Sequence, residues 1–186
     1  MTFSFVRPSP TRIAAFRAQQ AALPFSYATV QSTRGQVPTG MNRDRSSIQL
    51  GAGVEAWTRA RNAVRSWRMF DLGWVELHDP STPIEVGATV AVLVGSMGLW
   101  SLNAARIVYV IDEPERFGFA YGTLPDHAES GEELFLVTRD GAGAVSYEIT
   151  ADSRPNQLAA KLAYPWVRTL QKRFARCSLE AMQRAM

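Results

Sequence analysis

Between Leu72 and Asp152 the apolar residues recur with a period of two, and no link within that stretch is long enough to hold a crossover helix. A parallel neighbour needs a connection of about a dozen residues or more, whereas a hairpin closes with about two to five, so consecutive strands must pair antiparallel. Strands are predicted near 72–77, 87–95, 99–111, 116–124, 132–139 and 144–152. Turns fall at Gly95 to Gly98, Asp112 to Pro114, Pro125 to Gly131 and Asp140 to Gly143. The expected product is a curved meander.

Helical signals lie on either side of it. Ser9 can cap a helix over 9–22 whose Ile13, Phe16 and Gln20 share a face. Residues 31–47 have no apolar period and read as a loop, followed by a short strand ending at Ile48 and Leu50. A helix over 53–68 carries Trp57, Ala60, Val64 and Trp67 on one face and Arg59, Arg61, Arg65 and Arg68 on the other. After Ser153-Arg154-Pro155-Asn156 a short helical piece is expected, then a longer helix from about Pro165 to Met182, because Pro165 would break a single one. Its stripe of Trp166, Leu170, Phe174, Cys177 and Ala181 needs a large apolar partner, and the concave face of the sheet supplies it.

The chain of 186 residues, 46% hydrophobic, suits one domain: an N-terminal helix and loop over 1–44 and a core over 45–186. Its single cysteine, Cys177, forms no internal disulfide, which makes the cytoplasm the expected compartment, and the opening MTFSFVRPSP does not read as a signal peptide. Val86 to Leu102 is free of charge, but alternation of Val90, Val92 and Val94 with smaller residues and turn chemistry at Gly95 to Gly98 favour two buried strands over a membrane span. Charge is segregated: residues 1–68 carry a net +8, residues 69–153 a net −11 and residues 154–186 a net +6. Basic helices flanking an acidic sheet would help orient the layers or line a contact surface.

Several motifs have duller explanations. Gly51-Ala52-Gly53-Val54-Glu55-Ala56 has dinucleotide-binding spacing with Asp71 beyond it, yet the preceding Arg45 to Leu50 is mostly polar and a meander follows, so the glycines read as a strand-to-helix turn. His127 with Glu129, Glu132 and Glu133 lacks metal-ligand spacing and sits among turn formers; no metal or cofactor is assigned. The arginine-rich helices keep Trp57, Trp67 and Trp166 on their apolar sides, which argues against nucleic acid as a partner. Tyr121 and the Glu132/Glu133 pair could meet for acid–base work, although an inward acid paired with Arg154 as a structural ion pair fits equally. In RFGFAYGT, Phe117, Phe119, Tyr121 and Thr123 point one way and Gly118, Ala120 and Gly122 the other, making a central strand with one aromatic wall.

Several blocks together carry a family resemblance: RIVYVIDEPERFGFAYGTLPDHAESGEELFLV (106–137), VSYEITADSRP (145–155), YPWVRTLQKRF (164–174), LGAGVEAWTRARNAVRSW (50–67) and Gly73-Trp74. They resemble the bacterial and plant proteins gathered as domain-of-unknown-function family nineteen-ninety. Asp126 and Ala128 stand where that family's block has glycine and proline, and Asp152 where it has an apolar residue. The family is similar to helix-grip proteins of the START and birch-pollen-allergen type. The resemblance implies an α+β fold in which a curved antiparallel sheet wraps a long C-terminal helix, with an apolar cavity between them, and it implies no particular activity.

The expected role is therefore binding of a small, mainly apolar molecule. Trp100, Phe117, Phe119, Tyr121, Phe135, Tyr147, Trp166, Leu170 and Phe174 would line the site, with Arg106, Glu133 and Arg154 as polar anchors. Alternatively these side chains close into a solid core. Two other roles stay open: an enzyme moving protons with Tyr121, His127 and a glutamate, and an interaction module using the basic helices.

Overall fold

A computed structural model of the chain describes residues 2–156 and 164–186. The strands are β1 (Thr2–Ser4), β2 (Asn42–Ala52), β3 (Val75–Leu77), β4 (Thr89–Ser96), β5 (Leu99–Glu113), β6 (Arg116–Thr123), β7 (Glu129–Arg139) and β8 (Ala144–Pro155). The helices are α1 (Pro10–Ala21), α2 (Gly53–Arg65) and α3 (Tyr164–Arg184). One curled sheet runs in the order β2-β8-β7-β6-β5-β4-β3, every neighbour antiparallel, and β1 pairs with the start of β5.

Turn chemistry explains the hairpins. Met97 and Gly98 both take positive φ, 51° and 75°, the backbone that a two-residue hairpin turn requires. The charge-free stretch 86–102 is thus mostly β4, this turn and the first residues of β5, and among the described residues no helix is long and apolar enough to cross a membrane. Asp140 closes the β7–β8 hairpin by accepting the Ala142 and Ala144 N–H groups on its side chain. Register shifts between Gln49 and Gly51 in β2 and between Ile107 and Tyr109 in β5 add the local bend that curls a sheet.

The bends leave a concave inner face and a convex outer one. On the inner side α2 contributes Trp57, Ala60 and Val64, and the C-terminal half of α3 contributes Met182, to a core shared with Phe117, Phe119, Phe135, Val145 and Tyr147. On the outer side α1, capped by Ser9, packs Ile13 and Phe16 against Ala91, Leu93, Leu102 and Ala104. Ion pairs Arg61–Asp112 and Arg43–Asp152 join the basic N-terminal segment to the acidic one, as the charge segregation suggests, and Arg168–Asp44 ties α3 to β2.

Several boundaries differ from the sequence reading, among them β7, which begins at Glu129 within the expected turn. The loop expected over 31–47 ends early, because β2 begins at Asn42; its polar side chains are held by partners across β8 and α3, so it needs no apolar period. Helix α2 stops at Arg65, and Trp67 takes a left-handed φ of 55° that turns the chain into a 3-10 turn at Arg68–Phe70. Strand β8 runs through to Pro155, so Ser153 is a strand residue and no helix cap. The short helical piece expected before Pro165 falls largely at 157–163, outside the described residues. The Gly51–Gly53 motif forms the strand-to-helix turn, with Gly53 at φ 84° after an antiparallel edge strand, the wrong context for a dinucleotide.

Candidate functional site: a cavity between sheet and terminal helix

The N-terminal half of α3 crosses the sheet over small and polar residues, and between them lies a cavity of about 740 Å³. The reason is visible in one row across the inner face. Register partners Asp44, Ala151, Glu133 and Tyr121, from β2, β8, β7 and β6, run side by side beneath it. Ala151 offers no bulk, and the neighbouring Gly131 and Ser153 offer little more, so the helix has nothing to interlock with there. Where the sheet presents Phe135 instead, Phe174 of α3 comes down to it, and to Phe70, at ring-centroid distances of 6.4 and 5.5 Å.

Most of the wall is carbon: Val92 and Val94 of β4, Ile149 of β8, Leu170, Phe174 and Leu179 of α3, and Phe70 and Trp74 from the turn between α2 and β3. Trp166 lines the cavity and is 45% exposed. Polar groups are set among these apolar residues. Tyr121 donates to Glu133 at 2.8 Å. Burial pushes the Glu133 carboxyl up to about 7 against the pull of that bond, and pushes the Tyr121 phenol well above its ordinary value. His127 accepts the Glu129 backbone N–H on Nδ1 at 3.0 Å, and burial moves it down to about 4. A neutral imidazole with its proton on Nε2 follows at pH 7.

Glu129, only 9% exposed, is also raised by burial, while hydrogen bonding from Ser153 opposes the shift; its Oε1 has no hydrogen-bond partner. Arg168 grips Asp44 with both terminal nitrogens, one at 2.8 Å, which holds the Asp44 carboxyl below the usual range. Gln171 bridges from Arg168 to Ser153 Oγ at 3.0 Å each. Asn103 reaches from β5 to Ser101 and to the Ala128 N–H. Among the described residues no group of three or more His, Cys, Asp or Glu comes together as metal ligands would.

The predicted site residues divide. Tyr121, Glu133, Trp166, Leu170 and Phe174 line the cavity. Phe117, Phe119, Phe135 and Tyr147 face the same side but are sealed in the solid core below it, with Tyr147 at 3.1 Å from Ser178 Oγ and Phe119 edge-on to Trp67. Trp100 lies on the outer side, where Arg7 stacks on it, because β5 alternation turns Ser101 inward. Arg106 is also outward, donating to the Ala21 and Leu23 carbonyls at the end of α1. Arg154 is exposed, and the buried acids use other partners: Arg43 pairs with Asp152, and residues 27–33 hold Glu132. The inward-acid ion pair therefore exists at Asp44–Arg168, not at Arg154.

The comparisons with known proteins agree with this fold. The model of the family described as "Domain of unknown function (DUF1990)" matches residues 26–181. The chain belongs to that family. A UPF0548 protein of Deinococcus radiodurans is 39% identical, with 96% of each chain covered. Another from Dictyostelium discoideum is 35% identical over 99% of this chain and 95% of its own. Among solved structures, a hypothetical protein of Helicobacter pylori superposes with TM-score 0.57 at 10% identity, covering 84% of this chain and 95% of that one. The Zhui aromatase/cyclase of a Streptomyces species gives 0.50 at 15%, covering 77% and 92%. The DUF1990 chain has the helix-grip fold of START-like proteins.

Asp44, Glu129, Ser153, Arg168 and Gln171 belong to the cavity and were not read as site residues. Ser101 and Asn103, polar at alternate positions within the otherwise apolar stretch 99–105, were a signal available in the sequence. Asp44 and Arg168 gave none, being 124 residues apart.

Proposed function

We propose that this DUF1990 protein binds a small, mainly apolar molecule between the sheet and α3. The observation that carries the reading is the cavity itself: about 740 Å³, walled mainly by carbon, with a few polar groups among its lining. Ligand sites commonly have about this size and this division of labour, apolar walls for affinity and a few polar groups for orientation. The buried wall side chains gain apolar contact only when something fills the lumen. The single cysteine gives the fold no need of an oxidising compartment, and the cytoplasm is the proposed setting.

Native mass spectrometry of the protein as purified tests this directly. A retained lipophilic mass, or a rise in melting temperature with members of a lipid panel, is the expected result. Ala151→Leu, which puts a branched side chain into the lumen beside Glu133, should abolish uptake while leaving the fold intact. No retained mass and no shift with any lipid would overturn the reading.

One observation favours a second role. The Tyr121 hydroxyl, the neutral His127 imidazole and a Glu133 carboxyl at about 7 share one lumen, and a carboxyl poised there can give or take a proton near neutral pH. Tyr121→Phe separates the roles: a binder keeps its affinity, and an enzyme acting through the phenol loses turnover.

A further inference from the structure

Within the proposed binding role, the charged groups that line the lumen are unevenly paired. Asp44 is answered by Arg168, whose two terminal nitrogens are engaged with that carboxylate and with Gln171. Glu129 and Glu133 also face the cavity, and among the described residues neither forms a salt bridge with lysine or arginine; Arg168 acts on Glu129 only as a nearby charge, and Ser153 and Gln171 give it uncharged hydrogen bonds. Glu133 has the Tyr121 phenol as donor. Glu129 is nine-tenths buried, yet its Oε1 accepts no hydrogen bond. The nearby imidazole of His127 is neutral, so it adds no positive charge.

A carboxylate oxygen buried without a donor is unfavourable by the full desolvation of that atom, and the cost disappears when a ligand brings the missing donor. An anionic head would be repelled by Glu129 and Glu133 whenever they are ionised, whereas a cationic head favours their ionised forms. A hydroxyl would supply a donor but no charge. A protonated amine supplies both, and charge-assisted hydrogen bonds to a carboxylate are the stronger kind. The cations that line the cavity besides Arg168 do not compete for this place: Arg45 pairs with Glu148, Arg176 with Glu180, and Lys172 is exposed.

We infer that the ligand's head group is a protonated amine on an apolar body, seated against Glu129 Oε1, with Glu133 as a second source of negative charge. The apolar body lies along Val92, Val94, Leu170 and Phe174.

The test uses a matched set of probes that differ only in the head: dodecylamine, dodecanol and dodecanoate, each titrated calorimetrically into the full chain below its micelle concentration. The amine should bind about tenfold more tightly than the alcohol, and the carboxylate most weakly. Glu129→Gln should bring the amine's affinity down to within about twofold of the alcohol's, and Glu133→Gln should remove part of the advantage. Melting curves of the two variants confirm that they fold. An alcohol or a carboxylate that binds as tightly as the amine overturns the inference and leaves the pocket standing, as does an amine advantage that survives both substitutions. Failure of all three probes to bind overturns the pocket reading, and the inference with it.

Discussion

Glu132 and Glu133 are neighbours in the chain and opposites in the fold. Both residues border the cavity, but strand alternation sends the Glu132 carboxylate to Tyr27, Gln31 and Thr33 on the convex face and leaves the Glu133 carboxyl with Tyr121 on the cavity side. Glu132, 2% exposed, accepts from Tyr27 Oη at 2.8 Å, from the Gln31 and Thr33 N–H groups at 2.8 and 3.2 Å, and from the Thr33 hydroxyl. Glu133 has the phenol of Tyr121 alone among the described hydrogen bonds. Glu132 is buried and Glu133 partly buried. The first is surrounded by donors that fix a strap over the sheet, and the second is left half-answered beside a lumen. Sufficiency of partners, more than burial, separates a structural acid from one available to a ligand.

Substitution breaks that contrast most sharply. Glu132→Ala leaves two buried hydroxyls and two backbone N–H groups without their acceptor, and should destabilise the protein by about 4 kcal/mol. For a chain of this length the melting temperature should fall on the order of 10 °C. Glu133→Gln at pH 7 should change stability by less than about 1 kcal/mol, since it substitutes an uncharged group for one already near its midpoint. Denaturant midpoints of the two variants compare them directly, and equal losses would mean that Glu133 is as structural as its neighbour.

A pH scan sharpens the contrast. The folded state raises Glu133 from 4.5 to about 7, so its protonated form favours the fold; that stability is fully present below pH 4.5 and is lost as pH rises through 7. His127 is lowered from 6.5 to about 4, so its neutral form favours the fold; that stability is present above pH 6.5 and is lost as pH falls through 4. Between pH 4.5 and 6.5 the two slopes oppose each other at roughly 1 kcal/mol per unit. Removing one should expose the other: with Glu133→Gln the stability should climb with pH across this window, and with His127→Asn it should decline. Unfolding curves taken at intervals from pH 4.5 to 7 measure both, and unchanged slopes would show that neither group is desolvated in the fold.

The contrast between the two faces also marks what could be read from the chain. The meander was legible because short links and a period of two leave one topology, and α3 because Trp166, Leu170 and Phe174 recur at helical spacing. Alternation placed Phe117, Phe119 and Tyr121 on one face correctly, but it gives no depth: Phe119 is closed into the core and Tyr121 reaches the lumen because of what α2 and α3 place above them. Arg106 and Arg154 resembled anchors since an arginine in or beside an apolar strand invites a partner. Arg106 found its partners in the carbonyls at the end of α1, 83 to 86 residues earlier. The strap at residues 25–35 was illegible for the same reason: nothing local in Gln31 or Thr33 indicates that their N–H groups meet a carboxylate about a hundred residues away.

The smallest effects test the comparison at its two phenols. Tyr27→Phe deletes one of four donors to Glu132, and the acid, still held by Gln31 and Thr33, should lose about 1 kcal/mol. Tyr121→Phe deletes the described donor to Glu133, which on a count of bonds should hurt more. It should hurt less. Glu133 sits at about 7, so a small further rise converts it to the neutral acid and removes the charge that needed the donor. The loss in Tyr121→Phe should stay below about 1 kcal/mol at pH 7 and shrink further at pH 5.5, where Glu133 is already protonated in both proteins. A carboxyl-carbon NMR titration should place the Glu133 midpoint higher in the variant. A midpoint that falls, or a stability loss that grows as the pH is lowered, would mean that the phenol supports the protonated acid and that Glu133 is tied into the fold as firmly as Glu132.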